Sequence, residues 1–213
     1  TLPGGSEDTS YVVTKAQLLA GYTDADDGET ATLTIAALVG VDDNGNSVGT
    51  FTADAANTQW TFAPTANYNG TVNVTYNVVD AQSGSTAATS QFNLAAVNDI
   101  PTLTGTKTDF TTQLLTGTED TEYSISKQQL LKGYTDADGD EMSILGLSAT
   151  NGVITADGDN YKFAPNPDFN TDITNVALSY VISDNNGGNQ LVTNTLKINA
   201  INDKPVRTAG NVG

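Results

Sequence analysis

Two stretches of this chain are copies of each other. Glu7-Asp8-Thr9 recurs as Glu119-Asp120-Thr121, and Leu18-Leu19-Ala20-Gly21-Tyr22-Thr23-Asp24-Ala25-Asp26 recurs as Leu130-Leu131-Lys132-Gly133-Tyr134-Thr135-Asp136-Ala137-Asp138, both at an offset of 112. Phe62-Ala63-Pro64 returns as Phe163-Ala164-Pro165 at an offset of 101, so the first copy carries 11 more residues before this point, which we place in the stretch 42–57. Tyr76 and Asp80 return as Tyr180 and Asp184, and Asn98-Asp99-Ile100-Pro101 as Asn202-Asp203-Lys204-Pro205, at an offset of 104. A period of this length means one structural unit built twice. The 213 residues are enough for two domains of about 100 residues. The boundary is expected after Pro101, giving repeats at residues 1–101 and 102–213, because proline lacks a ladder donor and holds the residue before it extended.

The apolar pattern within a copy has the period of strands. Val72, Val74, Tyr76 and Val78 alternate with Thr71, Asn73, Thr75 and Asn77, and Phe92, Leu94 and Ala96 alternate with Gln91, Asn93 and Ala95. The second copy keeps these positions apolar as Leu178, Tyr180 and Ile182, then Leu196, Ile198 and Ala200. Further strands are expected near residues 11–13, 33–38, 50–53 and 59–62. A turn of helix is expected at residues 15–19, capped by Thr14 and ended by Gly21, with Ser126 and Gly133 as their counterparts. Turn chemistry at Asp43-Asn44-Gly45-Asn46, Asn69-Gly70, Ser83-Gly84-Ser85 and Asp157-Gly158-Asp159-Asn160 separates the strands. The expected fold is all-β: two tandem Ig-like antiparallel sandwiches.

Lys and Arg number 8 against 25 Asp and Glu, a formal net charge of −17. That balance repels nucleic acid and anionic membrane surfaces, and makes cations the natural counter-charge. Without Cys or His there is no disulfide, no thiolate site, no Ser-His-Asp triad and no ordinary zinc site. No apolar run reaches the ~20 residues of a membrane helix. The first residues lack the pattern of a signal peptide, so the chain reads as a fragment of something larger; it is expected to be monomeric.

The acids concentrate in equivalent loops of both copies: Asp24, Asp26 and Asp27; Asp136, Asp138 and Asp140; Asp80 and Asp184 after the long strand; Asp99 and Asp203 in the linkers. Carboxylates crowded into a turn repel one another. Ca²⁺ resolves this, since it takes 6–8 oxygens in irregular geometry, whereas Mg²⁺ demands near-octahedral order. The loop is no EF-hand: counting from Asp136, Glu141 stands where Gly is required and Leu147 where the bidentate Glu belongs.

Taken together, Glu-Asp-Thr, Leu-Leu-x-Gly-Tyr-Thr-Asp-Ala-Asp-Gly-Asp, Phe-Ala-Pro-x-x-x-Phe-Asn, Tyr-x-x-x-Asp and Asn-Asp-x-Pro resemble the cadherin-like tandem repeats of large bacterial surface adhesins, often grouped with RTX adhesins. The resemblance implies cadherin-like sandwiches, Ca²⁺ at junctions between units, and secretion to a bacterial cell surface. It maps Asn98 and Asp99 onto junction ligands, Asp136 and Asp138 onto an Asp-x-Asp pair with Asp140 beside it, and Asp184 onto the Asp that follows the penultimate strand. Glu7 corresponds to an early-strand glutamate assigned to the same junction. Glu119, Asn202 and Asp203 would serve a following unit, and Asp24, Asp26 and Asp80 a preceding linker. The family's mid-domain Asp-Arg-Glu motif is missing.

The expected function is that of a calcium-rigidified extender, a stalk that projects an adhesin's binding tip, its partners being neighbouring repeats of the same chain. The alternative is that the repeats themselves bind a peptide or glycan on a host cell or other surface, with Trp60 as the aromatic to examine; its place two residues before Phe62 in an alternating strand predicts that it packs inward. Paired carboxylates could hydrolyse glycosides, but acids that recur in both copies suit structure better than one active site, so no enzymatic role is expected.

Overall fold

The computed structural model describes residues 1–25, 29–108, 117–169 and 175–205. The chain divides into two compact units, Thr1–Val97 and Asn98–Gly213.

Unit 1 runs β1 (Gly5–Ser6), β2 (Tyr11–Thr14), α1 (Lys15–Leu18), a 3₁₀ turn at Glu29–Thr32, β3 (Thr34–Val41), β4 (Gly49–Ala53), β5 (Gln59–Pro64), β6 (Gly70–Val79) and β7 (Ser85–Ala95). One sheet has the order β1-β7-β6-β3 and the other β2-β5-β4. The alternation in β6 does what its period dictates: Val72, Val74, Tyr76 and Val78 are buried while Thr75 faces water. In β5, Trp60 and Phe62 point inward between exposed Thr61 and Ala63, so the two sheets close on one core with Val13, Leu18, Phe92 and Leu94. Phe92 stacks on Tyr11 at 4.4 Å and meets Phe62 edge-on at 5.4 Å.

Unit 2 repeats the plan with β8 (Thr102–Leu103), β9 (Gly117–Thr118), β10 (Tyr123–Ser126), α2 (Lys127–Leu131), β11 (Tyr134–Thr135), β12 (Ser143–Ala149), β13 (Gly152–Asp157), β14 (Asn160–Pro165), β15 (Val176–Ser183), β16 (Asn189–Leu196) and β17 (Ile198–Asn199). Its sheets are β12-β15-β16 and β10-β14-β13, with the short pairs β8-β11 and β9-β17. Its core joins Ile125, Leu130, Phe163, Leu178, Tyr180, Ile182, Leu196 and Ile198. The long pairings are antiparallel, but β1 lies parallel to β7 and β9 parallel to β17. Both exceptions are two-residue strands.

Three devices occur in both units. Thr14 and Ser126 cap the short helices, each in a reciprocal box with the Gln three residues on. The buried Tyr76 and Tyr180 hydroxyls donate to the carbonyls of Leu18 (2.7 Å) and Leu130 (3.0 Å), tying each helix to the opposite sheet. At Gly49 and Gly152 a Cβ would strike the ring of Phe62 or Phe163 and lie 2.5 Å from the carbonyl oxygen of Ala63 or Ala164, so only glycine lets the strand pass over that ring.

The extra residues of the first copy are distributed, not confined to residues 42–57. The offset falls from 112 at Asp24 to 109 at Ile35, where Ile35 and Ile144 hold the same pairing position opposite Val78 and Ile182. It falls to 103 at Gly49 and to 101 at Phe62. The insertions therefore precede β3, lengthen the β3–β4 hairpin and widen the β4–β5 turn. Each is a loop site, where added length costs little.

Candidate metal centre

In unit 2 the linker and two loops meet at one end of the sandwich. Asn98 Nδ2 donates to Asp184 Oδ2 at 2.7 Å, and the Asp99 N–H donates to Asp138 Oδ2 at 2.7 Å. Pro101 is buried. These ties explain why Asn98–Pro101 belong with the second unit rather than closing the first.

The Asp136–Asp140 loop turns on Gly139, whose φ of +78° is the left-handed conformation glycine favours. The turn folds two N–H groups, those of Asp138 (3.0 Å) and Asp140 (3.2 Å), onto Asp136 Oδ1. Asp136 Oδ2 is sealed from solvent and has no hydrogen-bond partner. Carboxylate oxygens of Asp136, Asp138 and Asp140 lie within 4.8 Å of one another. Asp140 Oδ2 also accepts from Asn186 Nδ2 at 2.6 Å.

Asp184 is buried, with 2% exposed. Burial pushes its carboxyl upward, but hydrogen bonds from Asn98 and from the backbone of Asn186, Gly188 and Gly187 outweigh this and hold it below the ordinary carboxylate range. That favours its ionised form. A buried acceptor oxygen without a donor, among hard oxygen donors carrying several negative charges, fits a Ca²⁺-type cation.

The opposite end of unit 2 gathers a second set. Glu119, 2% exposed, accepts the Ile201 N–H on Oε1 at 2.7 Å. Asp120, Asp168 and Asp203, all exposed, bring carboxylate oxygens within 4.8 Å of one another. Desolvation, then the charges of Asp120, Asp168 and Glu119, raise the Asp203 carboxyl. Asn202 is exposed and donates to the Asp203 carbonyl. Sequence reasoning missed Asp120 and Asp168. Each is an isolated aspartate in a turn with positive φ, 56° and 57°, and Asp120 Oδ1 accepts the Asp168 N–H at 3.2 Å. Unit 1 has the same pair in Asp8 and Asn67 (φ 54° and 58°), joined at 2.9 Å. The visible signal was Asp8 and Asp120 inside the repeated Glu-Asp-Thr.

In unit 1, Glu7 is 1% exposed, Oε1 accepting the Val97 N–H at 2.7 Å and Oε2 accepting from Asn69 Nδ2 at 3.2 Å. Asp24 is half-buried, and its N–H donates to Thr30 Oγ1 at 2.8 Å. Asp80 Oδ1 accepts the N–H groups of Gln82 (2.9 Å) and Gly84 (2.7 Å), as Asp184 Oδ1 does those of Asn186 (2.7 Å) and Gly188 (2.9 Å). Asp26 lies outside the described residues. Trp60 is 7% exposed and offers no ring face to a glycan. Among the described residues no helix is long and apolar enough to cross a membrane.

Comparison with known proteins adds a family. A search of curated proteins finds no significant match. Among solved structures, human CDH23 EC21-23 is 17% identical over 94% of this chain and 72% of that one, with a TM-score of 0.45. PcdhgB3 EC1-4 is 16% identical over 84% and 43%, with a TM-score of 0.44. The endo-fucoidan hydrolase MfFcnA4, of glycoside hydrolase family 107, is 19% identical over 94% and 27%, with a TM-score of 0.35. The chain thus spans about a quarter of the hydrolase and under half of the PcdhgB3 structure, and we draw nothing about activity from these likenesses. The family model described as "Cadherin-like domain" matches residues 1–95 and again 97–199. The chain belongs to the cadherin-like domain family, twice over.

Proposed function

We propose that this chain is a pair of calcium-stiffened spacer modules from an extracellular adhesion protein, of the bacterial surface-adhesin kind its motifs resemble. The observation that carries the reading is Asp136: one buried oxygen with no donor, in a loop shared with Asp138 and Asp140 and strapped to the linker through Asp99. Asp136, Asp138, Asp99 and Asp184 are the residues we assign to Ca²⁺, with Asp140 at the rim. Asn98 serves as the hydrogen-bond donor that orients Asp184.

The consequence is mechanical. Repulsion among these carboxylates loosens the linker from the loop, and a bound cation converts repulsion to attraction, fixing the linker at the head of the module that follows it. An ion that binds only this arrangement stabilises it by RT ln(1 + [L]/Kd), roughly 2.7 kcal/mol at a hundredfold excess over Kd. Extracellular calcium modules work at about 10⁻⁴–10⁻³ M, so millimolar Ca²⁺ suffices. Asp120, Asp168, Asp203 and Glu119 serve a following unit in the same way, and Asp24 and Asp80 a preceding linker.

Calorimetric titration tests this. The wild-type chain should take up Ca²⁺, an Asp136→Ala/Asp138→Ala chain should lose one class of sites, and EDTA should lower the melting temperature of the first more than that of the second. Equal Ca²⁺ uptake by the two chains would refute the assignment.

A further inference from the structure

Unit 2 departs from unit 1 around α2. Unit 1 holds one of the chain's eight cations, Lys15, and unit 2 the other seven. Two of those seven, Lys127 and Lys132, line a cleft of about 890 Å³ between α2 and the turn that joins β13 to β14. That volume lies within the ~300–1,000 Å³ of small-ligand sites. Backbone contacts fix its walls. Ser126 pairs with Asn160 at the end of the β10–β14 ladder, and the Lys127 N–H donates to the Asp159 carbonyl at 3.2 Å.

The lining sorts into two groups. Positions shared with unit 1 are used by the fold: Ser126 and Gln129 form the capping box, as Thr14 and Gln17 do. Lys127 and Glu141 keep Lys15 and Glu29 of unit 1, and meet at 3.9 Å with the Glu141 side chain 92% exposed, a weak pair. Four positions differ. Gln128 and Lys132 stand where unit 1 has Ala16 and Ala20, and Asp159 and Asn160 where it has Thr58 and Gln59. Thr58 is occupied, its N–H and hydroxyl both donating to Asp54 at 2.7 Å. Among the described residues, the side chains of Gln128, Lys132, Asp159 and Asn160 have neither a hydrogen-bond nor an ion-pair partner. The residues that changed between the copies are thus the ones with donors and acceptors to spare, and all four open on one cleft.

We propose that this cleft binds an oligosaccharide bearing a single carboxylate, of the kind ended by a sialic or glucuronic acid. Lys132 takes the carboxylate in a charge-assisted hydrogen bond, and Gln128, Asp159 and Asn160 exchange hydrogen bonds with hydroxyls. The lining selects this class. Leu131 is its one apolar side chain, which leaves no anchor for an apolar ligand or a protein partner. Lys127 and Lys132 balance Glu141 and Asp159, so the cleft is neutral while the chain carries −17. One ligand charge is accommodated there, and a polyanion is repelled by the rest of the molecule. The inference stands apart from the calcium reading, which uses none of these four side chains.

The test is ¹⁵N NMR of the full 213-residue chain in constant millimolar Ca²⁺, titrated with sialyllactose and with lactose, which lacks the carboxylate. Sialyllactose should give saturable shifts centred on Gln128, Lys132 and Asn160, with Ala16 and Ala20 unmoved. Lactose should bind about tenfold or more weakly, the scale of a hydrogen bond to a charged group. Lys132→Ala, which makes this exposed position match unit 1, should weaken sialyllactose as much and leave the melting temperature unchanged. A polysialic chain should bind no better than sialyllactose. No saturable shift, equal affinity for lactose, or indifference to Lys132→Ala would each overturn the proposal. Affinity that climbs with the number of carboxylates would overturn it too, as non-specific capture by surface lysines.

Discussion

Replacing Tyr180 with Phe removes one oxygen atom and, by our account, the tie between the central strand and the helix ahead of the metal loop. Tyr180 is 1% exposed, and its hydroxyl donates to the Leu130 carbonyl at 3.0 Å. A net buried hydrogen bond contributes about 0.5–1.5 kcal/mol, and the stranded carbonyl adds to the loss, so about 1–3 kcal/mol is expected at neutral pH. For a domain of this size that lowers Tm by roughly 4–8 °C per kcal/mol. A second signature comes at high pH. Burial, then the neighbouring Tyr134, push the Tyr180 hydroxyl up to about 12. Folding holds the proton that the unfolded chain releases near pH 10, so Tyr180 costs no stability below pH 10 and erodes it as pH rises from there towards 12. The slope is about 1.4 kcal/mol per pH unit. Urea denaturation of wild type and Tyr180→Phe from pH 7 to 11.5 measures both: the variant starts lower and loses less on the alkaline side. Tyr76→Phe should behave alike in unit 1, where the same bond is 2.7 Å. A variant matching wild type at neutral pH, or falling as steeply above pH 10, would refute the reasoning.

Other expectations follow from single positions. Gly152→Ala drives a methyl into the Phe163 ring and to 2.5 Å from the Ala164 carbonyl; overpacking of this kind costs about 1–3 kcal/mol, so one calorimetric transition should drop while that of unit 1 stays. Asp184, held below the ordinary carboxylate range, contributes stability that is present above the unfolded-state pKa and is lost as pH falls through the lowered one. Acid titration of stability in EDTA should therefore be shallower for Asp184→Asn than for wild type, and equal slopes would count against the role given to Asn98.

Much of this was legible because burial enforces period. Every residue of Val72, Val74, Tyr76 and Val78 that alternation marked as inward is inward, and the caps at Thr14 and Ser126 are where Ser/Thr chemistry places them. The inward Trp60 followed from Phe62 two residues on. What escaped is what carries no apolar signal. β1 and β9 are Gly-Ser and Gly-Thr, two residues each, held parallel by backbone bonds alone. The ladder slips between Ala36 and Val39 and between Leu145 and Ser148 are backbone events. Asp120 and Asp168 reach the Asp203 cluster through left-handed turns; the repeated Glu-Asp-Thr marks Asp120 as a kept position but not the turn that carries it there. The acids called from the repeat, by contrast, include Asp136, Asp138 and Asp140, which do converge.

The most direct measurement is crystallographic: crystals of the chain grown with Ca²⁺, and an anomalous difference map examined at the Asp136 loop. Our account predicts a peak about 2.3–2.6 Å from Asp136 Oδ2, the distance of Ca²⁺ from its oxygen ligands, with Asp138 and Asp99 turned towards it. A map without a peak there at saturating Ca²⁺, with Asp136 Oδ2 instead accepting a hydrogen bond, would contradict it.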